Sequence, residues 1–232
     1  MSENIKKTTK AFRVDLDSSK NQIMLKPSAR YSFNNQTHQV SEATEKIHEL
    51  IKNASYSNDD IVLKRNEIKE AFFSPFKPQL KNAQVFLSHL HADKNKALEV
   101  KDYLENQTKR KVFIDSLFWD YKDGVLNELA KHDDISRIKD AFTLILRESL
   151  QDMIEKCPYF VFLQSKNSVS NQGLSLITYS AWIYEELKIA HSISESRLIP
   201  MMESMQVFHD ISPFLKSLKT ITLSELSQQI NS

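Results

Sequence analysis

Short apolar runs that recur along the chain constrain its fold more than any other feature. Val85-Phe86-Leu87, Val112-Phe113-Ile114, Phe160-Val161-Phe162-Leu163, Leu198-Ile199-Pro200-Met201 and Thr220-Ile221-Thr222 are each short and β-rich, and they read as five strands. Between them the periodicity changes to that of helices. Ala97, Val100 and Leu104 form a stripe within residues 95–106, Ile138, Phe142, Ile145, Leu146, Met153 and Ile154 mark a long helix ending near Cys157, and a third helix spans about Ser180 to Ser192. Strands that alternate with helices pair in parallel through right-handed crossovers, with both sheet faces covered. The expected class is therefore α/β, with a five-stranded parallel sheet flanked by helices. Ligands of such open sheets bind outside the carboxyl ends of the strands, so the residues just after each strand matter most.

Residues 1–80 read differently, being polar and rich in Asn, Ser and Lys. Ala11 to Leu16 alternates like a half-buried strand, and Gln22 to Leu25 is placed to pair with it as a small hairpin. Ala43, Ile47, Leu50 and Ile51 give a helical stripe behind an imperfect capping signal at Ser41, Thr44 and Glu45, and a second helix is expected from about Asp59 to Phe72. Ser74-Pro75-Phe76-Lys77-Pro78 then breaks the chain, because neither proline can continue a helix. The expected division is a small α+β N-terminal extension, 1–80, of unassigned role, and a principal domain, 81–232.

Composition removes several kinds of function. The 232 residues include only two glycines, Gly124 and Gly173, too far apart to form a dinucleotide fingerprint or a P-loop. Thirty-one Lys and Arg against thirty Asp and Glu give a net charge of +1, and Thr108-Lys109-Arg110-Lys111 has no interleaved aromatics, so no nucleic-acid partner is expected. A lone Cys157 forbids an intramolecular disulfide and fits a reducing compartment. Without an apolar signal core or a run of ~18 apolar residues, no membrane association is expected and a cytoplasmic location is.

The segment after the first apolar run, Ser88-His89-Leu90-His91-Ala92-Asp93, resembles the zinc motif of the metallo-β-lactamase family in its His-x-His-x-Asp spacing. It departs where Lys94 replaces a further histidine and no glycine pair follows, so His89 and His91 are expected to bind no zinc. A second resemblance takes in three elements in order. Val85-Phe86-Leu87-Ser88-His89, Val112-Phe113-Ile114-Asp115 and Ser180-Ala181-Trp182-Ile183-Tyr184-Glu185-Glu186-Leu187 resemble strand A, strand B and the Ser-x-Trp-Cys-x-x-Glu-Leu motif of Toll/interleukin-1 receptor (TIR) domains, with Ile183 in place of the cysteine. The resemblance covers about residues 81–225 and implies a flavodoxin-like TIR fold.

Helical geometry bears on the two glutamates independently. At 100° per residue Glu186 lies about 60° from Ile183, at the edge of the stripe Ile183, Leu187 and Ala190, whereas Glu185 lies about 160° away and is expected to face water. The resemblance implies that Glu186 is the catalytic residue of an NAD+ nucleosidase of the bacterial immune type, which cleaves the nicotinamide–ribose bond to give nicotinamide and ADP-ribose or a cyclic or conjugated derivative. It implies an antiphage role, NAD+ as substrate with no cofactor or metal, self-association through TIR–TIR contacts and a downstream effector that senses the product. Ser88 and His89 would line the crevice, Trp182 could stack on a substrate ring, and Asp120 and Trp119 would come from a long loop after the second strand, where Phe118, Trp119 and Tyr121 are candidate assembly contacts. The competing reading is a TIR adaptor that signals by assembly without turnover.

Overall fold

The computed structural model describes residues 9–25, 34–57, 60–62, 64–73, 82–131, 136–172, 175–194 and 209–232. In chain order the elements are β1 (Lys10–Asp15), α1 (Ser19–Gln22), α2 (Asn34–Lys52), β2 (Ser55–Ser57), β3 (Asp60–Val62), α3 (Arg65–Phe73), β4 (Ala83–Ser88), α4 (Lys94–Thr108), β5 (Lys111–Ile114) and α5 (Asp115–Leu129). They continue with α6 (Ser136–Lys156), β6 (Tyr159–Gln164), β7 (Ser170–Gln172), β8 (Ser175–Thr178), α7 (Ala181–Ser194), β9 (His209–Asp210), α8 (Ser212–Ser217), β10 (Lys219–Thr220) and α9 (Leu223–Asn231). The chain forms two compact units, one of Met1–Ser28, Ala83–Ser116 and Gln151–Ser232, the other of Ala29–Asn82 and Leu117–Leu150. These units do not follow a single cut at residue 80.

The first unit holds an all-parallel five-stranded sheet in the order β10-β1-β6-β4-β5, consistent with a flavodoxin-like α/β fold. Val85, Phe86, Leu87, Val161 and Phe162 are fully buried, as strands covered on both faces must be. Read from β5 and counted from β4, the order is that of a doubly wound sheet, 2-1-3-4-5, except that its fourth place is held by β1 from the start of the chain. The strand expected at Leu198–Met201 lies outside the described residues.

The expected hairpin is thereby corrected. Ala11 to Leu16 is a strand, but its neighbours are β6 and β10, both parallel to it, with Phe12 opposite Val161 and Lys219. Residues 22–25 do not form a strand, and the turn before them is helical. Buried Asn21 explains the change. Its Nδ2 donates to Asp15 O at 2.7 Å and its Oδ1 accepts from Leu223 N at 2.9 Å, so one side chain joins the end of β1 to the start of α9. The last helix is further fixed by a capping box, in which Thr222 and Glu225 exchange hydrogen bonds. Among the described residues no helix is long and apolar enough to cross a membrane.

In the second unit α2, α3 and the continuations of α5 and α6 carry the apolar residues; of the helix expected from about Asp59 to Phe72, α3 forms the later part, while Asp60–Val62 is β3, paired antiparallel with β2. Gly124 sits where α5 approaches α2, since an added Cβ would meet Val40 Cγ2 at 3.0 Å. Tyr121 is fully buried between Phe72 and neighbouring side chains, and its hydroxyl donates to Phe72 O at 2.7 Å. That carbonyl belongs to the last turn of α3. Tyr121→Phe removes this buried hydrogen bond and is expected to cost about 1 kcal/mol, measurable by urea unfolding of the full chain.

Candidate active site

The crevice of a doubly wound sheet lies where the strand order reverses, here at the carboxyl ends of β4 and β6. Ser88 ends β4 and His89 follows it, while Gln164 ends β6 and Ser165 follows it. Leu87 is opposite Ile114, and Asp115 opens α5 directly after it. From the other side α7 brings in Glu186. This helix starts at Ser180, whose Oγ accepts from Ile183 N at 3.2 Å, so the motif serine acts as a helix cap.

Four buried groups meet here. Ser88 Oγ donates to Glu186 Oε2 in a very short hydrogen bond, and His89 Nδ1 lies 2.6 Å from Asp115 Oδ1 in an ion-pair contact. Ser88 and Glu186 are completely buried, while His89 and Asp115 are each 3% exposed. Burial first, then the Asp115 carboxyl beside it, hold Glu186 well above the usual carboxylate range, and the Ser88 hydrogen bond opposes this without cancelling it. For His89 burial works against the charged form, but the negative charge of Asp115, with a smaller contribution from Asp93, outweighs it and raises the pKa. Both shifts favour the protonated form, neutral for Glu186 and charged for His89.

Several polar atoms in this region are left without hydrogen-bond partners among the described residues. Beyond the His89–Asp115 contact, they are His89 Nε2, Ser116 Oγ and Gln164 Oε1. All belong to the carboxyl ends of β4, β5 and β6 or to the helix facing them. Buried polar atoms are seldom left unpaired, and their concentration at one end of the sheet is what a site for a polar ligand or ordered water requires. Nearby, Asp93 has its own structural task, since Ser165 Oγ and Asn167 Nδ2 both donate to it and tie the start of α4 to the end of β6.

The residues singled out in the sequence thus fall into separate groups. Ser88, His89 and Glu186 come together in the first unit, and Trp182 is half-buried one turn before Glu186. Glu185 does not face water. It is 8% exposed and lies 3.7 Å from Lys188 Nζ, because α7 buries a wider arc than one apolar stripe predicts. His91 is exposed whereas His89 is buried, and among the described residues no cluster of three or more His, Cys, Asp or Glu could hold a metal ion. Asp120 and Trp119 lie in the second unit on α5, which replaces the expected loop, and Asp120 is half-buried. The side chains of Phe118 and Trp119 lie outside the described residues, and Tyr121 is core rather than an exposed contact. Asp115 is the member that the sequence showed only as the end of a strand motif; Ser116 and Gln164 had no signal beyond their position at strand ends. No family model matches the chain, and neither the curated proteins nor the solved structures contain a match to it.

Proposed function

We propose that this chain is an NAD+ nucleosidase of the TIR type, with Glu186 as its catalytic carboxylate. One observation carries the reading: Ser88, His89, Asp115 and Glu186, drawn from three distant stretches of sequence, converge as a buried polar cluster at the carboxyl ends of a parallel sheet. Nicotinamide is cationic in NAD+ and leaves neutral, taking the electron pair of the C1′–N bond, so cleavage needs no general acid. It needs stabilisation of the positive charge that grows on the ribose, which an ionised Glu186 supplies. Water or a hydroxyl of the substrate then takes C1′, giving ADP-ribose or a cyclic product, and the products or the loss of NAD+ serve a defence signal read by a downstream effector.

Glu186 is sealed from solvent in this conformation, so turnover requires an opening step. Opening hydrates the carboxyl, releases its proton to water and produces the charged form that catalysis uses. Self-association is the trigger this reading assigns to that step. Specific activity, measured as nicotinamide released per protomer, is expected to rise with protein concentration in wild type and to fall in Trp119→Ala. Activity flat with concentration would reject assembly as the trigger, and absence of nicotinamide at every concentration would count against the nucleosidase.

A further inference from the structure

We propose that Asp115 is a positioning residue of this site, acting on Glu186 and His89 rather than on the substrate. The proposal deepens the reading of Glu186 as the catalytic carboxylate and rests on it. Its basis is placement. Ser88 and His89 are consecutive, and each is tied to a different carboxyl, Ser88 to Glu186 and His89 to Asp115 at 2.6 Å. The pairing of Leu87 with Ile114 sets Asp115 beside that strand end, so the two carboxyls are held close by one short piece of backbone. Asp115 faces both an imidazole and a second carboxyl, and at 3% exposure it does so with little solvent screening. It favours the proton on His89 and disfavours a second negative charge on Glu186.

No other charged group competes for this role among the described residues. Asp93 acts more weakly on His89, and Asp93 itself is held by Ser165 and Asn167. On α7, Glu185 is beside Lys188. On the strand and helix that pack against α7, Lys216 acts on Asp210, and His209 stacks on Tyr184. In the sealed site Asp115 thus adds to burial in favouring the proton on Glu186, and opening exchanges both influences for water.

The test is an NMR titration of the full chain carrying 13C-labelled glutamate and 15N-labelled histidine, in wild type, Asp115→Asn and Asp115→Glu. The expected result is a Glu186 midpoint above the ordinary carboxylate range in wild type, with the Glu186 and His89 midpoints both falling by about one unit or more in Asp115→Asn and returning in Asp115→Glu. Midpoints unmoved in Asp115→Asn would overturn the proposal. If that variant does not fold, the wild-type His89 midpoint decides, since burial alone would lower it and a value at or below that of a free imidazole overturns the proposal. Nicotinamide release separates the two readings. Shifted midpoints in a protein that never releases nicotinamide would remove the nucleosidase and keep the coupling. Release from wild type with unmoved midpoints would keep the nucleosidase and remove the role of Asp115.

Discussion

A fragment carrying residues 81–232 alone is expected not to fold cooperatively. The proline-rich break before residue 80 invites such a cut, but the sheet does not respect it, because β1 lies between β6 and β10 and bonds to both. Its removal takes away Phe12, Val14 and Leu16, which are 4%, 0% and 0% exposed. At about 1.5–3 kcal/mol for each large apolar side chain buried, their loss removes roughly 5–9 kcal/mol. Domains are stable by only about 5–15 kcal/mol, so little or nothing remains. The cut also frees Gln164 O and Arg13's partner Thr220, which β1 and its extension satisfy in the intact chain. Circular dichroism through a thermal scan decides the matter: the full chain should melt sharply and the fragment should show no cooperative transition. A fragment that melts like the full chain would contradict the sheet order.

The expected strands β4, β5 and β6 and the helices α4 and α6 were legible because each is a local pattern, an apolar run or a 3.6-residue stripe. What a strand pairs with is not local. The alternation in Ala11 to Leu16 identifies a strand, yet nothing within that segment distinguishes a hairpin partner ten residues on from β6, far along the chain. Asp115 to Gly124 read as a loop after the second strand, and there too the deciding contacts are not local. The glycine answers a close approach to Val40 on another helix, which no single segment displays. In the site, periodicity placed Glu186 at the edge of the core, and it is the one tied to Ser88, but the same reading sent Glu185 to water, where it is not. Asp115 could not be placed, because its meeting with His89 depends on the register between β4 and β5.

Glu186→Gln is expected to stabilise the protein while removing its activity. The glutamine amide oxygen accepts from Ser88 as before, and the side chain carries no charge to be repelled by Asp115. The sign follows from linkage. Glu186 is raised in the folded state, so the stability it contributes is fully present below the unfolded carboxyl value and is lost as pH rises toward the folded one. His89 is raised as well and loses its contribution in the same direction, from the unfolded imidazole value upward. Wild type should therefore weaken from mildly acidic toward alkaline pH, and the advantage of Glu186→Gln should widen over that window, reaching on the order of 1 kcal/mol or a few degrees in Tm. Paired melting curves at several pH values check this. An advantage for wild type that does not depend on pH would mean that Glu186 is an ordinary structural carboxyl.

The most direct test of the account is the initial rate of nicotinamide release from NAD+ by purified wild type, Glu185→Gln and Glu186→Gln at equal concentration. The account predicts turnover in wild type, a rate within a few-fold of it in Glu185→Gln, and a loss of roughly 10²- to 10³-fold or more in folded Glu186→Gln, the scale expected when a charge that stabilises the transition state is removed. Equal losses in both variants, or a Glu186→Gln protein as active as wild type, would contradict it.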